Sequence, residues 1–368
     1  MKTVDEITAN VLDLAMEIQQ IPAPTYAEAR RAVFIREKFI ACGLSDVFMD
    51  ELSNVFARKP GSGLASPVVF SAHLDTVFPA STRLTIRREE DRIYGPGIGD
   101  NSLGVAGLFG ILELLGSHFL PGDIWFIANV GEEGLGNLRG MKAVVDRLGS
   151  QTQAFVVVEG MSLRHVYNRG LGVRRYLVKV NTPGGHSWVN YGSPSAIHEL
   201  ARLITQLTSL SLPSDPRTTL NIGTITGGTS INTIASEAQF ELDLRSESSS
   251  GLQALVAEFE NMAYEFRRSG PGFIDIQVES IGERPFGQIS TEHPLVKLAL
   301  RCLEAQGITP DLSIGSTDAN VPLAMGLPAV CMGITTGAGA HTVDEYIHTQ
   351  PVALGLSSLA ALAEALFS

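Results

Sequence analysis

Cysteine is scarce: Cys42, Cys302 and Cys331 are the only three in 368 residues, far apart and without CxxC spacing. That excludes a disulfide scaffold and a thiolate metal cage, and predicts reduced thiols packed in a core. Positive charge is also short. Lysine and arginine total 27 against 39 acidic residues, a net charge of -12 with no basic cluster, so nucleic acid and anionic membrane are poor partners. No uninterrupted apolar run approaches the ~20 residues of a membrane helix. The first helical pattern (Ile7, Val11, Leu14, Ile18) carries Asp5, Glu6, Asp13 and Glu17, unlike the basic start of a signal peptide. The expectation is a soluble, cytoplasmic protein.

What the chain has instead is apolar residues at 44% and 37 glycines. That length and apolar content predict two domains with substantial cores. Three strongly apolar strands are legible, at residues 67–72, 124–130 and 154–158, separated by helical patterns at 103–115 and 139–148. Near-continuous apolar strands alternating with helices predict a mostly parallel sheet covered on both faces. Each of these strands runs into polar donors: His73 and Asp75, then Glu132 and Glu133, then Glu159. Ligands of open α/β sheets bind beyond the carboxyl ends of the strands, so this recurrence marks a site.

The stretch Gly95-Pro96-Gly97-Ile98-Gly99-Asp100-Asn101 is too punctuated for a helix or a central strand. By itself it fits a plain turn, a phosphate cradle or a mount for Asp100. A dinucleotide loop fails, because the position three beyond Gly97 is Asp100 where GxGxxG needs glycine.

From about residue 170 the pattern becomes strand (175–180), helix (195–210), strand (219–225), strand (238–244), helix (252–267), strand (273–278). This βαββαβ order predicts an inserted ferredoxin-like domain. The expected division is 1–171 and 284–368 for a first domain, with 172–283 inserted. Glycine and proline in Arg169-Gly170-Leu171-Gly172 and Ile281-Gly282-Glu283-Arg284-Pro285 mark the hinges. The remainder returns to α/β texture, with a helix at 294–305, a strand at 329–334 and a last helix from about 351.

The donor set His73, Asp75, Asp100, Glu132, Glu133, Glu159 and His341 offers nitrogen and oxygen but no thiolate. It suits zinc, manganese or cobalt. So many carboxylates in one place call for two divalent ions. In the pair Glu132-Glu133, side chains diverge from an extended backbone, so one can ligate while the other works as a general base on a water whose pKa the ions lower.

Six motifs occur in one order: Ser71-Ala72-His73-Leu74-Asp75-Thr76, Gly95-Pro96-Gly97 through Asp100-Asn101, Gly131-Glu132-Glu133-Gly134, Val158-Glu159-Gly160, Gly184-Gly185-His186-Ser187 and Ala340-His341-Thr342-x-x-Glu345. Together they resemble the dizinc aminoacylase, glutamate carboxypeptidase and peptidase T group, which also holds acetylornithine deacetylase and succinyl-diaminopimelate desuccinylase. The resemblance implies a dinuclear α/β metallopeptidase domain with a lid used for homodimerisation. It implies that Asp100 bridges two ions, that His73 and Glu159 complete one site, and that Glu133 and His341 complete the other. Glu132 becomes the general base and Asp75 the partner that orients the His73 imidazole. The peptide between Asp100 and Asn101 is expected to be cis.

In the lid, His186 resembles an oxyanion-stabilising histidine, acting in its own or a partner's site. Arg245 resembles an arginine that grips a substrate carboxylate. Asn232, in Gly227-Gly228-Thr229-Ser230-Ile231-Asn232, resembles the lid asparagine, although Ala235 replaces a proline common after that motif. Asp318, after a glycine-rich turn, fits either a helix cap or a place beside the site. The implied activity is hydrolysis of an amide bond in a small peptide or N-acyl amino acid. Glu159 leans towards carboxypeptidase or deacylase rather than aminopeptidase. The alternative is a catalytically silent metal-binding scaffold of the same fold, against which the intact Glu132 speaks.

Overall fold

The computed structural model describes residues 2–269 and 274–368. They form two compact units, one of residues 2–170 and 287–368, the other of residues 171–286 apart from 270–273.

The sheet of the first unit runs in the order Ser45–Met49, Val55–Lys59, Ile124–Asn129, Val68–His73, Ala154–Glu159, Ala329–Gly333, His165–Gly170, Gly287–Gln288, with Asp311–Gly315 also on His165–Gly170. Its four middle strands, from Ile124–Asn129 to Ala329–Gly333, are mutually parallel, and antiparallel pairs flank them. Both faces are covered because successive side chains point to opposite sides. Val68, Phe70 and Ala72 join the core shared with the helices Val4–Gln19, Leu103–Leu115 and Val352–Ala365, while Val69 points to the core shared with the helix Arg139–Leu148. Val156 and Val158 against Phe155 and Val157 repeat the pattern.

The segment Ile98–Leu115 is apolar and long enough to cross a membrane by composition, although glycines interrupt its apolar run. It is 78% buried inside the unit, the position of a core helix. Cys302 and Cys331 are buried, as expected, but Cys42 is exposed. Cys42 follows the helix Ala29–Ala41 as its C-cap, beyond the last residue, Phe39, by which that helix enters the core.

The second unit is an antiparallel sheet in the order Thr218–Gly227, Glu237–Ser246, Gly172–Asn181, Asp275–Arg284. The helices Ala196–Thr208 and Ser249–Ser269 close its core through Leu200, Leu203, Leu255 and Phe259, against Val178, Val180 and Phe240 of the sheet. The predicted strand start at Phe273 lies outside the described residues.

A small third sheet has no counterpart among the predicted elements. It pairs Gly337–Ala338, Tyr346–His348, Arg92–Tyr94 and Arg87–Arg88 in that order, with Tyr346 opposite Tyr94. Its pieces are two or three residues long, too short for a periodic signature. The register seats the segment that carries His341 against the glycine-rich segment that carries Asp100.

Candidate metal centre

The strand Val68–His73 is buried along its whole length, and its last residue delivers His73 beside Asn129 of the neighbouring strand. His73 Nδ1 lies 3.0 Å from the Asp75 carbonyl, which can only accept, so Nδ1 carries a proton and Nε2 is left to take either an ion or a second proton. That Nε2 faces Asp100 Oδ1 at 3.1 Å and Glu159 Oε2 at 3.7 Å.

The Asp75 atom that meets the imidazole is therefore its main-chain carbonyl. Its carboxylate sits 3.6 Å from Nδ1 and serves a different loop. Fully buried, it accepts from the Glu132 amide at 3.0 Å, the Glu133 amide at 2.9 Å and the Thr25 hydroxyl at 2.9 Å. Burial opposes its ionisation, but His73 and the two amides win and hold its pKa below the usual value. The chain enters this loop through Gly131 at φ 70°, where a Cβ would also strike the Arg139 side chain.

Asp100 follows Gly97, itself at φ 75°, and the Asp100-Asn101 peptide is cis, as expected. Asn101 fastens this turn to the next strand end: its Nδ2 donates to the Val158 carbonyl at 2.9 Å, and its Oδ1 accepts from the Gly160 amide at 2.8 Å. Glu159 is the residue between them. From the other side, Glu345 accepts three amides of the glycine loop, and burial lifts its carboxyl to about 7 against those bonds.

His341 lies on the loop between the small-sheet strands and has a left-handed backbone, φ 66°, uncommon for a residue with a side chain. Its Nε2 is 3.2 Å from Asp100 Oδ2 and 3.4 Å from Glu133 Oε1. The two Asp100 oxygens thus face two different imidazoles.

These separations test whether metal fits. Ligands ~2.0–2.1 Å from a tetrahedral zinc stand roughly 3.3 Å from one another. The four donor pairs, at 3.1, 3.7, 3.2 and 3.4 Å, fall around that value, and one donor atom each from His73, Asp100 and Glu133 lies within 4.8 Å of the others. Electrostatics agree. Burial opposes a proton on His73, yet Glu159, Asp100 and Asp75 raise its pKa well above normal. Asp100 and Glu133 raise His341 to about 10. Protons on the imidazoles stand in for positive charge that the carboxylates demand.

Glu132 and Glu133 are both buried. Asp318, for which the sequence allows a helix cap or a place beside the site, is buried under the His73 side of the cluster. It accepts from Asn129 Nδ2 at 2.6 Å and is lifted by burial to about 7.

In the second unit, Gly185–His186 pairs with Thr233–Ile234, and the Ser187 amide donates to the Asn232 carbonyl at 3.0 Å, so His186 and Asn232 are neighbours. His186 Nδ1 accepts from the Trp188 and Val189 amides at 3.2 and 3.4 Å, which leaves the ring proton on Nε2. Arg245 is elsewhere. The loop of Asn232 adjoins Glu237 through the Gly228 amide, and Arg245 is eight residues further along the strand Glu237–Ser246, roughly 25 Å at 3.2–3.4 Å per residue. Its guanidinium pairs with Asp243 at 2.6 Å, and Asp243 also takes Arg175 at 2.9 Å.

Known proteins resemble this chain in sequence and in fold. The family described as Peptidase family M20/M25/M40 matches residues 69–365. A peptidase M20 domain-containing protein of Schizosaccharomyces pombe is 34% identical over 52% of this chain and 48% of its own length, so the match spans about half of that relative. Succinyl-diaminopimelate desuccinylase of Corynebacterium glutamicum is 25% identical over 92% of each chain. Among solved structures, the aminopeptidase PepT of Bacillus cereus superposes with a TM-score of 0.78 at 25% identity, covering 98% of this chain and 99% of that one.

Proposed function

The chain belongs to the peptidase family M20/M25/M40 and is a metal-dependent hydrolase, and we propose that it cleaves an amide bond in a small peptide or N-acyl amino acid with two divalent ions. One observation carries the two-ion reading: each Asp100 oxygen meets a different imidazole, at 3.1 and 3.2 Å. His73 and Glu159 would hold one ion, Glu133 and His341 the other, with Asp100 shared. Nitrogen and oxygen donors favour zinc, with manganese and cobalt as alternatives. When bound, such ions lower the pKa of water and polarise the substrate carbonyl.

The rest of the chemistry falls to the protein. Glu132 takes the proton from the attacking water and hands it to the leaving amine. Asp75, through the main chain of the Glu132-Glu133 loop, fixes where that carboxylate starts. His186 offers Nε2–H to the developing oxyanion. Asn232 and Arg245 hold the substrate, and the planar guanidinium suits a terminal carboxylate. Glu159 favours a carboxypeptidase or deacylase.

The separation of Arg245 from the His186–Asn232 end, roughly 25 Å of strand, exceeds the reach of a small substrate. We take it as support for a homodimer through residues 172–283 in which two copies serve one substrate.

Metal analysis with a panel of dipeptides and acyl amino acids tests this function. Glu132→Gln is expected to retain two ions per chain and to lose turnover by about 10²–10⁴-fold. Turnover near wild type would remove Glu132 from the role of base. A metal-loaded wild type that hydrolyses nothing in the panel would favour a silent metal-binding scaffold.

A further inference from the structure

Glu345 is fully buried and stands outside the ligand and substrate-binding sets described above. It lies four residues beyond His341, immediately before the strand Tyr346–His348 that pairs with Arg92–Tyr94. Its Oε2 accepts from the Gly97 amide at 2.8 Å, and its Oε1 from the Gly99 amide at 2.7 Å and the Asp100 amide at 2.8 Å. Its own carbonyl accepts from the Gly95 amide at 2.9 Å. Four main-chain donors from Gly95 to Asp100 therefore end on one residue far along the chain.

That concentration has a physical reason. Gly95, Gly97 and Gly99 contribute no side chains that could pack the loop in one place, and glycine loses more freedom on ordering than any other residue. A carboxylate in a closed interior is costly unless its lone pairs are filled, and here main-chain amides fill them on both oxygens. The carboxylate and the loop each supply what the other lacks. On its far side, Asp100 is held through Asn101 to the flanks of Glu159.

We propose that Glu345 is a positioning residue of the metal centre, which fixes the Asp100 loop against the His341 loop so that the two oxygens of Asp100 meet both imidazoles before metal arrives. Glu345 touches neither ion nor substrate; it acts through Asp100 and His341. The inference rests on the reading of Asp100 as a shared ligand.

The test compares Glu345→Gln, Glu345→Asp and Asp100→Ala in the full chain, by zinc affinity, by the visible absorption of the cobalt-loaded protein and by kcat and KM. Glutamine keeps the size but turns one accepting oxygen into a donor facing a loop amide. It is expected to weaken metal binding by about 10–100-fold, the usual loss when a residue supporting a ligand is removed. It should also alter the cobalt spectrum and lower kcat more than KM. Glu345→Asp retains the charge and should recover part of each.

If Glu345→Gln folds and binds both ions with wild-type affinity and spectrum, while Asp100→Ala loses them, the positioning role is wrong and the shared ligand stands. If Asp100→Ala itself keeps both ions, the underlying reading fails instead. Should Glu345→Gln not fold, amide exchange in the wild type decides. Gly97, Gly99 and Asp100 are expected to be protected with and without metal. Protection that appears only on adding zinc would mean that metal orders the loop, and would overturn the proposal.

Discussion

Substitution of Asp75 by Asn separates two accounts of this buried carboxylate. If it served mainly to orient the imidazole, asparagine would be nearly harmless to folding, because the carbonyl that accepts from His73 is main chain and remains. The structure gives it a larger role, in which three hydrogen bonds, from the Glu132 and Glu133 amides and the Thr25 hydroxyl, all end on one side chain with no exposed surface. An amide group keeps one accepting oxygen and turns an NH2 towards a donor. At least one bond to a charged acceptor is lost, worth ~1.5–3 kcal/mol, and a buried donor is left unsatisfied at ~1–3 kcal/mol. A total of about 2.5–6 kcal/mol follows, which lowers the melting temperature of a unit this size by roughly 5–24 °C.

Glu132 and Glu133 lose their shared anchor together, so turnover is expected to fall by at least ~100-fold, the scale of a 1 Å misplacement. Calorimetry on the metal-free and metal-loaded variants, alongside a kinetic assay, measures both effects. Asp75→Asn melting within about 2 °C of wild type would refute the anchoring argument, since removing an acceptor shared by two buried amides and a half-buried hydroxyl cannot be neutral.

Mixing the inactive variants His186→Ala and Glu132→Gln should restore part of the activity, because a mixed dimer can join an intact His186 from one copy to an intact Glu132 from the other; mixed dimers without turnover would place both residues in the same copy's site. The metal-free protein should lose stability as pH rises. His341, raised to about 10, and His73, raised as well, lie above the unfolded value of ~6.5. Their contribution is therefore complete below pH ~6.5 and disappears as pH climbs through the folded values. Melting curves of chelated protein between pH ~6.5 and ~10 measure this, and a flat profile would contradict the assignment of protons to the two imidazoles.

Local pattern carried much of the chain's organisation. The buried strands, their alternation between two cores, the helices Leu103–Leu115 and Arg139–Leu148 and the βαββαβ order all follow from periodicity, because the backbone imposes its repeat on whatever must be buried. Strand ends were legible for the same reason, so His73, Glu132, Glu133 and Glu159 could be read as neighbours before any coordinates. Other features carry no such signature. The strands His165–Gly170 and Asp311–Gly315, half-exposed along much of their length, lack an apolar run, and the exposure of Cys42 has no signature in its apolar neighbours.

The sequence by itself therefore determined which donors exist and which strand ends present them. The tertiary structure decided how they are held: which oxygen of Asp100 meets which imidazole, that Asp75 spends its carboxylate on the Glu132-Glu133 loop, and that Glu345 reaches back to Gly97, Gly99 and Asp100. The last two are contacts between side chains and distant main-chain amides. Every residue but proline carries such an amide, so nothing in its local sequence says which carboxylate will find it, and only the assembled backbone brings the two within hydrogen-bonding distance.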